Sequence, residues 1–121
     1  MSNWSKGFLI NADFSLPVSI SSHKIRGVYR FSLQGNSIPY PKKNGATLYI
    51  GKTKDLNERI HKHITNSDRK SLKSYVNSGK RIYVRYKKIE PGKQLKKLES
   101  DELKKHTEDF GMIPICNNQT A

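Results

Sequence analysis

ATLYIGKTKDLNERIHKH, from Ala46 to His63, changes its hydrophobic period halfway along. Leu48 to Ile50 form an apolar run that reads as a strand. Gly51 ends that strand where the backbone turns or comes close to another group. Asp55 follows as a helix cap, and Glu58, three residues on, reaches back in a capping-box pattern. On the helix Leu56, Ile60 and Ile64 recur every four residues and make the buried stripe. Arg59 and His63, also four apart, share the neighbouring face. A tyrosine at a strand end, a glycine, Lys52 and an Arg/His pair on the next helix form a cluster able to receive a phosphate.

The composition agrees with an anionic partner. A chain of 121 residues supplies one small domain and one core. Lys plus Arg number 23 against 10 acidic residues, a formal charge of +13, which favours polyanions through counterion release. Nucleic acid is preferred as the partner over a merely soluble basic protein. The single Cys116 cannot make an internal disulfide and fits a reducing compartment. MSNWSKGFL lacks the apolar centre of a signal peptide, and no later run is long enough to span a bilayer.

Upstream, residues 1–24 read as an arm, with a short strand at Phe8 to Ile10 and an extended piece from Phe14 to Ile20. KIRGVYRFSL, from Lys24 to Leu33, is a strand with Tyr29, Phe31 and Leu33 on one face. QGNSIPYPKKNG is a loop by composition, joining two antiparallel strands, and its Lys42 and Lys43 either contact DNA or are simply solvated. Past the central helix, Ser67 or Asp68 caps a second short helix in which Leu72, Tyr75 and Val76 pack and which Gly79 ends. RIYVRYKKI, from Arg81 to Ile89, is a further strand whose interleaved cations and aromatics suit either nucleic acid or solvent. Lys54, before the central helix, joins Lys42, Lys43, Arg81 and Arg85 as candidate DNA contacts. The longest helix runs from Lys93 to about Phe110 with Leu95, Leu98, Leu103, His106 and Phe110 as its apolar stripe.

Two carboxylates on that last helix stand out. Glu99 and Glu102 project into the angular range of the apolar stripe, whereas Asp101 points away. A glutamate among core positions is costly unless it pairs with a cation or holds a metal. No His/Cys cluster has zinc-ligand spacing, and there is neither a Walker loop nor a dinucleotide fingerprint.

Gly27-Val28-Tyr29, then Tyr49-Ile50-Gly51, then Arg59 ten residues after Tyr49, a helical glutamate and Asn117 in Pro114-Ile115-Cys116-Asn117 form an ordered set. The set resembles the GIY-YIG nuclease family over roughly Gly27 to Asn117. Within it, YIGKTKDLNERI is similar to the stand-alone phage-type endonucleases. The resemblance implies an α/β domain of the α+β type over residues 25–121, with a small three-stranded, largely antiparallel sheet flanked by helices. It implies metal-dependent hydrolysis of a DNA phosphodiester with Mg²⁺ or Mn²⁺. Tyr29 or Tyr49 would align or deprotonate the attacking water, Arg59 would bind the scissile phosphate, and Lys52 would add positive charge. His63, one turn after Arg59, matches a histidine that part of the family carries. Gly27 and Gly51 are structural members of the two tyrosine motifs, and Asn117 would tie the C-terminal segment to the tyrosine strands. Leu98-Glu99 followed by Leu103 fits the family's Leu-Glu helix and makes Glu99 the metal ligand of choice, while Glu102 sits nearer to Asn117.

These residue types suit the reaction. Attack on a phosphodiester builds negative charge on the equatorial and leaving oxygens. Arg59 can present a planar fork to the first, and a divalent ion on a glutamate can neutralise the second. Double-stranded DNA is the expected substrate, and the cytoplasm of a bacterial cell or phage-infected host the expected location. Cutting both strands requires either a homodimer or sequential nicks. The rival readings are a catalytically silent nucleic-acid-binding protein on the same fold and a basic structural protein. Two spacings are long for the family: the gap between the tyrosine motifs, assigned to the Pro/Lys loop, and that from the glutamate to Asn117, assigned to an insertion at Thr107 to Met112.

Overall fold

The structure, a computed structural model, describes residues 4–10, 24–66, 70–90 and 92–117. In chain order the elements are β1 (Phe8–Ile10), β2 (Gly27–Leu33), β3 (Ile38–Pro39), β4 (Asn44–Gly45), β5 (Thr47–Thr53), α1 (Leu56–Asn66), α2 (Lys70–Asn77), β6 (Ile82–Lys88), α3 (Leu95–Phe110) and a 3-10 turn (Ile115–Asn117). Alternation in β2 buries Tyr29, Phe31 and Leu33 on one face. β5 and β6 flank β2 antiparallel on either side, which is the expected three-stranded core. β1 pairs antiparallel with β6 and makes a fourth strand, in the order β1-β6-β2-β5. The first described part of the expected arm thus belongs to the sheet. The extended piece from Phe14 to Ile20 and the caps at Ser67 or Asp68 lie outside the described residues.

Helices cover both faces of the sheet, for different reasons. On one, Tyr29, Phe31, Tyr49, Ile82 and Val84 form a single apolar cluster with Leu56 and Ile60 of α1 and Leu72 of α2. Burying each of these aliphatic helix side chains contributes about 1.5–3 kcal/mol. On the other, α3 is joined to the sheet by ion pairs, Lys52 to Glu99 and Lys87 to Glu102. Arg26 holds the approach to α3 by donating to the carbonyls of Glu90 and Lys93 at 3.1 and 2.7 Å. Among the described residues no helix is long and apolar enough to cross a membrane.

Two local expectations are corrected. Asp55 does cap α1, its Oδ1 accepting the Glu58 N–H at 3.4 Å, but Glu58 does not close a capping box. The Asp55 N–H donates instead to Thr53 Oγ1 at 3.0 Å. The Pro/Lys stretch is more than a solvated loop: β3 and β4 pair within it, and Ile38 and Tyr40 are buried. Tyr40 Oη donates to the Thr47 carbonyl and accepts the Ile115 N–H, which docks the C-terminal turn. Residues 107–111 form the last turn and the C-cap of the longest helix. Helix α3 runs on to Phe110, where Gly111, at φ 94°, turns left-handed and donates its N–H to the Thr107 carbonyl.

Candidate active site

The β2–β5 register sets Tyr29 opposite Gly51. A Cβ at residue 51 would lie 2.5 Å from Tyr29 Oη and 2.8 Å from Tyr49 Cε2, so only glycine leaves room for both rings. This corrects the reading of Gly51 as a strand end. It lies inside β5, and what it provides is space rather than a turn. Gly27 serves the same end at the neighbouring pair, where a side chain would run into the Lys87 carbonyl. The tyrosine rings pack with centroids 6.0 Å apart.

Helix α1 completes the cluster from above. Arg59 Nε donates to Tyr29 Oη at 3.4 Å, and His63 Nε2 lies 2.8 Å from the same oxygen. A guanidinium can only donate, so the phenol accepts from Arg59, while the direction of its bond with His63 follows the imidazole tautomer. His63 is 1% exposed, deeper than a face beside the apolar stripe implied, and its ring meets Phe31 edge-on with centroids 5.3 Å apart. Burial pushes the Tyr29 phenol far above the usual tyrosine range and the adjacent Tyr49 adds to this, while the hydrogen bond and charge of Arg59 oppose it.

At the same end of the sheet Lys52 Nζ lies 3.3 Å from Glu99 Oε1, with side-chain exposures of 44% and 19%. Glu102 is placed differently. Its Oε2 accepts from Lys87 Nζ at 2.6 Å, and both side chains are nearly nine-tenths buried. One carboxylate therefore adjoins the Tyr-Ile-Gly segment and the other is held inside the α3–sheet packing. The described residues contain no group of three or more His, Cys, Asp or Glu able to cage a metal. Next to the Tyr-Ile-Gly segment the carboxylate that Lys52 contacts is Glu99, and one such carboxylate is a donor set that fits Mg²⁺ or Mn²⁺ retaining most of its waters.

Asn117 pairs with the backbone of β5, its Oδ1 accepting from the Ile50 N–H at 2.9 Å and its Nδ2 donating to the Ile50 carbonyl at 2.8 Å. These are outward groups of an edge strand, otherwise without ladder partners. The cations expected at DNA are scattered. Lys54 is exposed in the turn before α1, whereas Arg81 is exposed at the opposite end of the sheet, just before β6. Lys42 Nζ donates to the Glu108 carbonyl at 2.8 Å and Lys43 lies over the Phe110 ring, so both are drawn to the C-terminal end of α3. Arg85 is half-buried on the α3 side of the sheet beside Arg30. The Lys87–Glu102 pair and Arg30 were not singled out from the sequence. Alternation could have assigned Arg30, Arg85 and Lys87 to one face, but only the register sets them against each other and under α3.

A match to the GIY-YIG catalytic domain covers residues 27–112, most of the chain, and the protein belongs to that family of nucleases acting on DNA. No curated protein and no solved structure matches the chain.

Proposed function

We propose that the protein is a divalent-metal-dependent endonuclease that hydrolyses phosphodiester bonds of double-stranded DNA. The observation that carries this reading is the buried phenol of Tyr29 held between His63 and Arg59, with the Lys52–Glu99 pair at the same end of the sheet. Tyr29 Oη lies within hydrogen-bond distance of His63 Nε2 and accepts from Arg59 Nε, which sets the plane of the guanidinium that grips the scissile phosphate. With its phenol shifted so far upward, Tyr29 acts as a positioning residue, and aligning the attacking water falls to Tyr49. Lys52 adds positive charge where the phosphate oxygens become more negative. Glu99 would hold Mg²⁺ or Mn²⁺, which when bound supplies neutralisation of the leaving oxygen. Asn117 keeps β5 in register so that Tyr49 and Lys52 hold their places. Lys54 extends the positive surface beside this site.

The test is conversion of supercoiled plasmid to nicked and linear forms, with Mg²⁺ and with EDTA. Mg²⁺-dependent conversion that is lost in Arg59→Ala and in Glu99→Ala, both still folded by circular dichroism, is the expected result. No cleavage across several divalent ions, together with a salt-sensitive gel shift, would instead establish a DNA-binding protein on this fold. Early accumulation of nicks favours single cuts by a monomer, and direct appearance of linear product a homodimer.

A further inference from the structure

On the far face of the sheet from Tyr29, a cleft of about 560 Å³ opens between β2, β6 and α3. Pockets of about 300–1,000 Å³ commonly hold small ligands. Its floor is Arg30 and Arg85, paired across β2 and β6, and its walls include Trp4, Lys105, His106 and Asp109. Two buried polar atoms on residues that line it, Arg30 Nε and His106 Nε2, have no partner among the described residues. Leaving such groups unsatisfied costs about 1–3 kcal/mol each, so a site that keeps both is built for something that pairs with them.

Their chemistry defines the ligand. Arg30 Nε carries a hydrogen and wants an acceptor, and its guanidinium is already positioned over Trp4, 4.5 Å from the ring centre. Two arginines side by side repel unless an anion lies between them. Of the two acidic residues in the lining, Glu102 is hydrogen-bonded to Lys87 and shares its one charge between Lys87 and Arg30, and Asp109 is exposed. His106 is 6% exposed, and its Nδ1 lies 2.7 Å from the Met112 carbonyl, which can only accept. Nδ1 therefore holds the hydrogen and Nε2 presents a lone pair, a state that burial also favours by lowering the imidazole's affinity for a second proton. The cleft thus asks for an anion that also carries a hydrogen-bond donor.

We propose that this cleft binds a phosphate monoester, the group that ends a DNA strand or a mononucleotide, with Arg30 and Arg85 on its oxygens and His106 accepting from its hydroxyl. A phosphodiester inside a strand has no P–OH to offer His106, whereas a monoester offers one as its monoanion, the form that predominates below its second pKa of about 6. The site shares no residue with the Tyr29–Arg59–Glu99 cluster, and the proposal does not depend on cleavage.

Trp4 is the chain's one tryptophan and lines the cleft, so its fluorescence reports occupancy directly. Titrations in EDTA at about pH 5.5, where the monoanion prevails, would use inorganic phosphate, deoxyadenosine monophosphate, a short single-stranded oligonucleotide with a 5′-phosphate, and the same oligonucleotide with a 5′-hydroxyl. A saturable change is expected with the phosphate-bearing probes and not with the hydroxyl-ended strand, and the tightest of the three identifies the source of the phosphate. Arg30→Met should weaken binding roughly ten- to a hundredfold, and Arg59→Ala should leave it unchanged. If Arg30→Met melts prematurely, Arg85→Gln serves the same comparison. No saturable change, an equal response to the hydroxyl-ended strand, or loss in Arg59→Ala with retention in the cleft variants would overturn the proposal.

Discussion

Replacing Glu102 with alanine strips the partner from Lys87, whose ammonium lies 2.6 Å away with side-chain exposures of 12% and 11%. Arg30, which feels the Glu102 charge, loses a counterion in the same step. Removing one member of a buried pair typically costs about 3–5 kcal/mol, because the surviving charge stays buried. At roughly 4 °C per kcal/mol for a domain of this size, the melting temperature should fall by about 12–20 °C. The Lys52–Glu99 pair spans 3.3 Å but is far more exposed, at 44% and 19%. Solvent screening limits such a pair to about 0–1 kcal/mol, so Glu99→Ala should melt within about 4 °C of the parent. Cleavage should show the reverse order, with Glu99→Ala inactive and Glu102→Ala active well below its melting temperature. Lys87→Met/Glu102→Leu should recover most of the lost stability, since an apolar pair carries no desolvation penalty. Thermal melts by circular dichroism, read beside the plasmid assay, decide the matter. An inactive but stable Glu102→Ala, with an active Glu99→Ala, would refute the division of labour between these two carboxylates.

Three further outcomes follow from the packing. Gly51→Ala meets the Tyr29 and Tyr49 rings and should cost about 1–3 kcal/mol, whereas Gly27→Ala meets a backbone carbonyl and should cost more; the opposite order in urea melts would contradict the contacts described. Asn117→Ala leaves the Ile50 amide and carbonyl without Asn117 and should lose about 1–3 kcal/mol, with Asn117→Asp, which can still accept, in between. Burial lowers the proton affinity of folded His106 relative to the unfolded chain, where the value is 6.5. The folded state therefore binds fewer protons there, and this contribution to stability is complete above pH 6.5 and lost as pH falls through it. His106→Asn, which can still donate to the Met112 carbonyl, should flatten the fall in melting temperature between about pH 8 and 5, and parallel curves for the two proteins would remove His106 as its source.

The secondary elements were legible because their periods are strong: alternation marks β2, β5 and β6, and the recurrence of Leu56 and Ile60 marks α1. The chemistry clustered around Tyr29 was legible for the same reason, since strand and helix spacing alone bring Tyr49, Lys52, Arg59 and His63 to one end. What periodicity cannot carry is register and depth. Glu99 and Glu102 occupy neighbouring directions on one helix, yet one meets an exposed lysine and the other a buried one, a difference made by β5 and β6. His63 sinks to 1% exposure because Phe31 and the two tyrosines surround it. Residues 34–45 read as solvated because Gly, Pro and Lys dominate them, and the burial of Ile38 and Tyr40 depends on contacts more than sixty residues away in sequence, such as that of Tyr40 with Ile115.

The Asn117–Ile50 clamp also bears on how two copies can meet. A sheet recruits a second molecule through edge strands whose outward amides are open. Here the middle of the β5 edge is already occupied from within the chain, and the opposite edge, β1, is three residues long. Extending the sheet into a second molecule across the middle of β5 would first require prising the 3-10 turn away, which leaves the short β1 edge or contacts between side chains and helices for a dimer able to cut both strands.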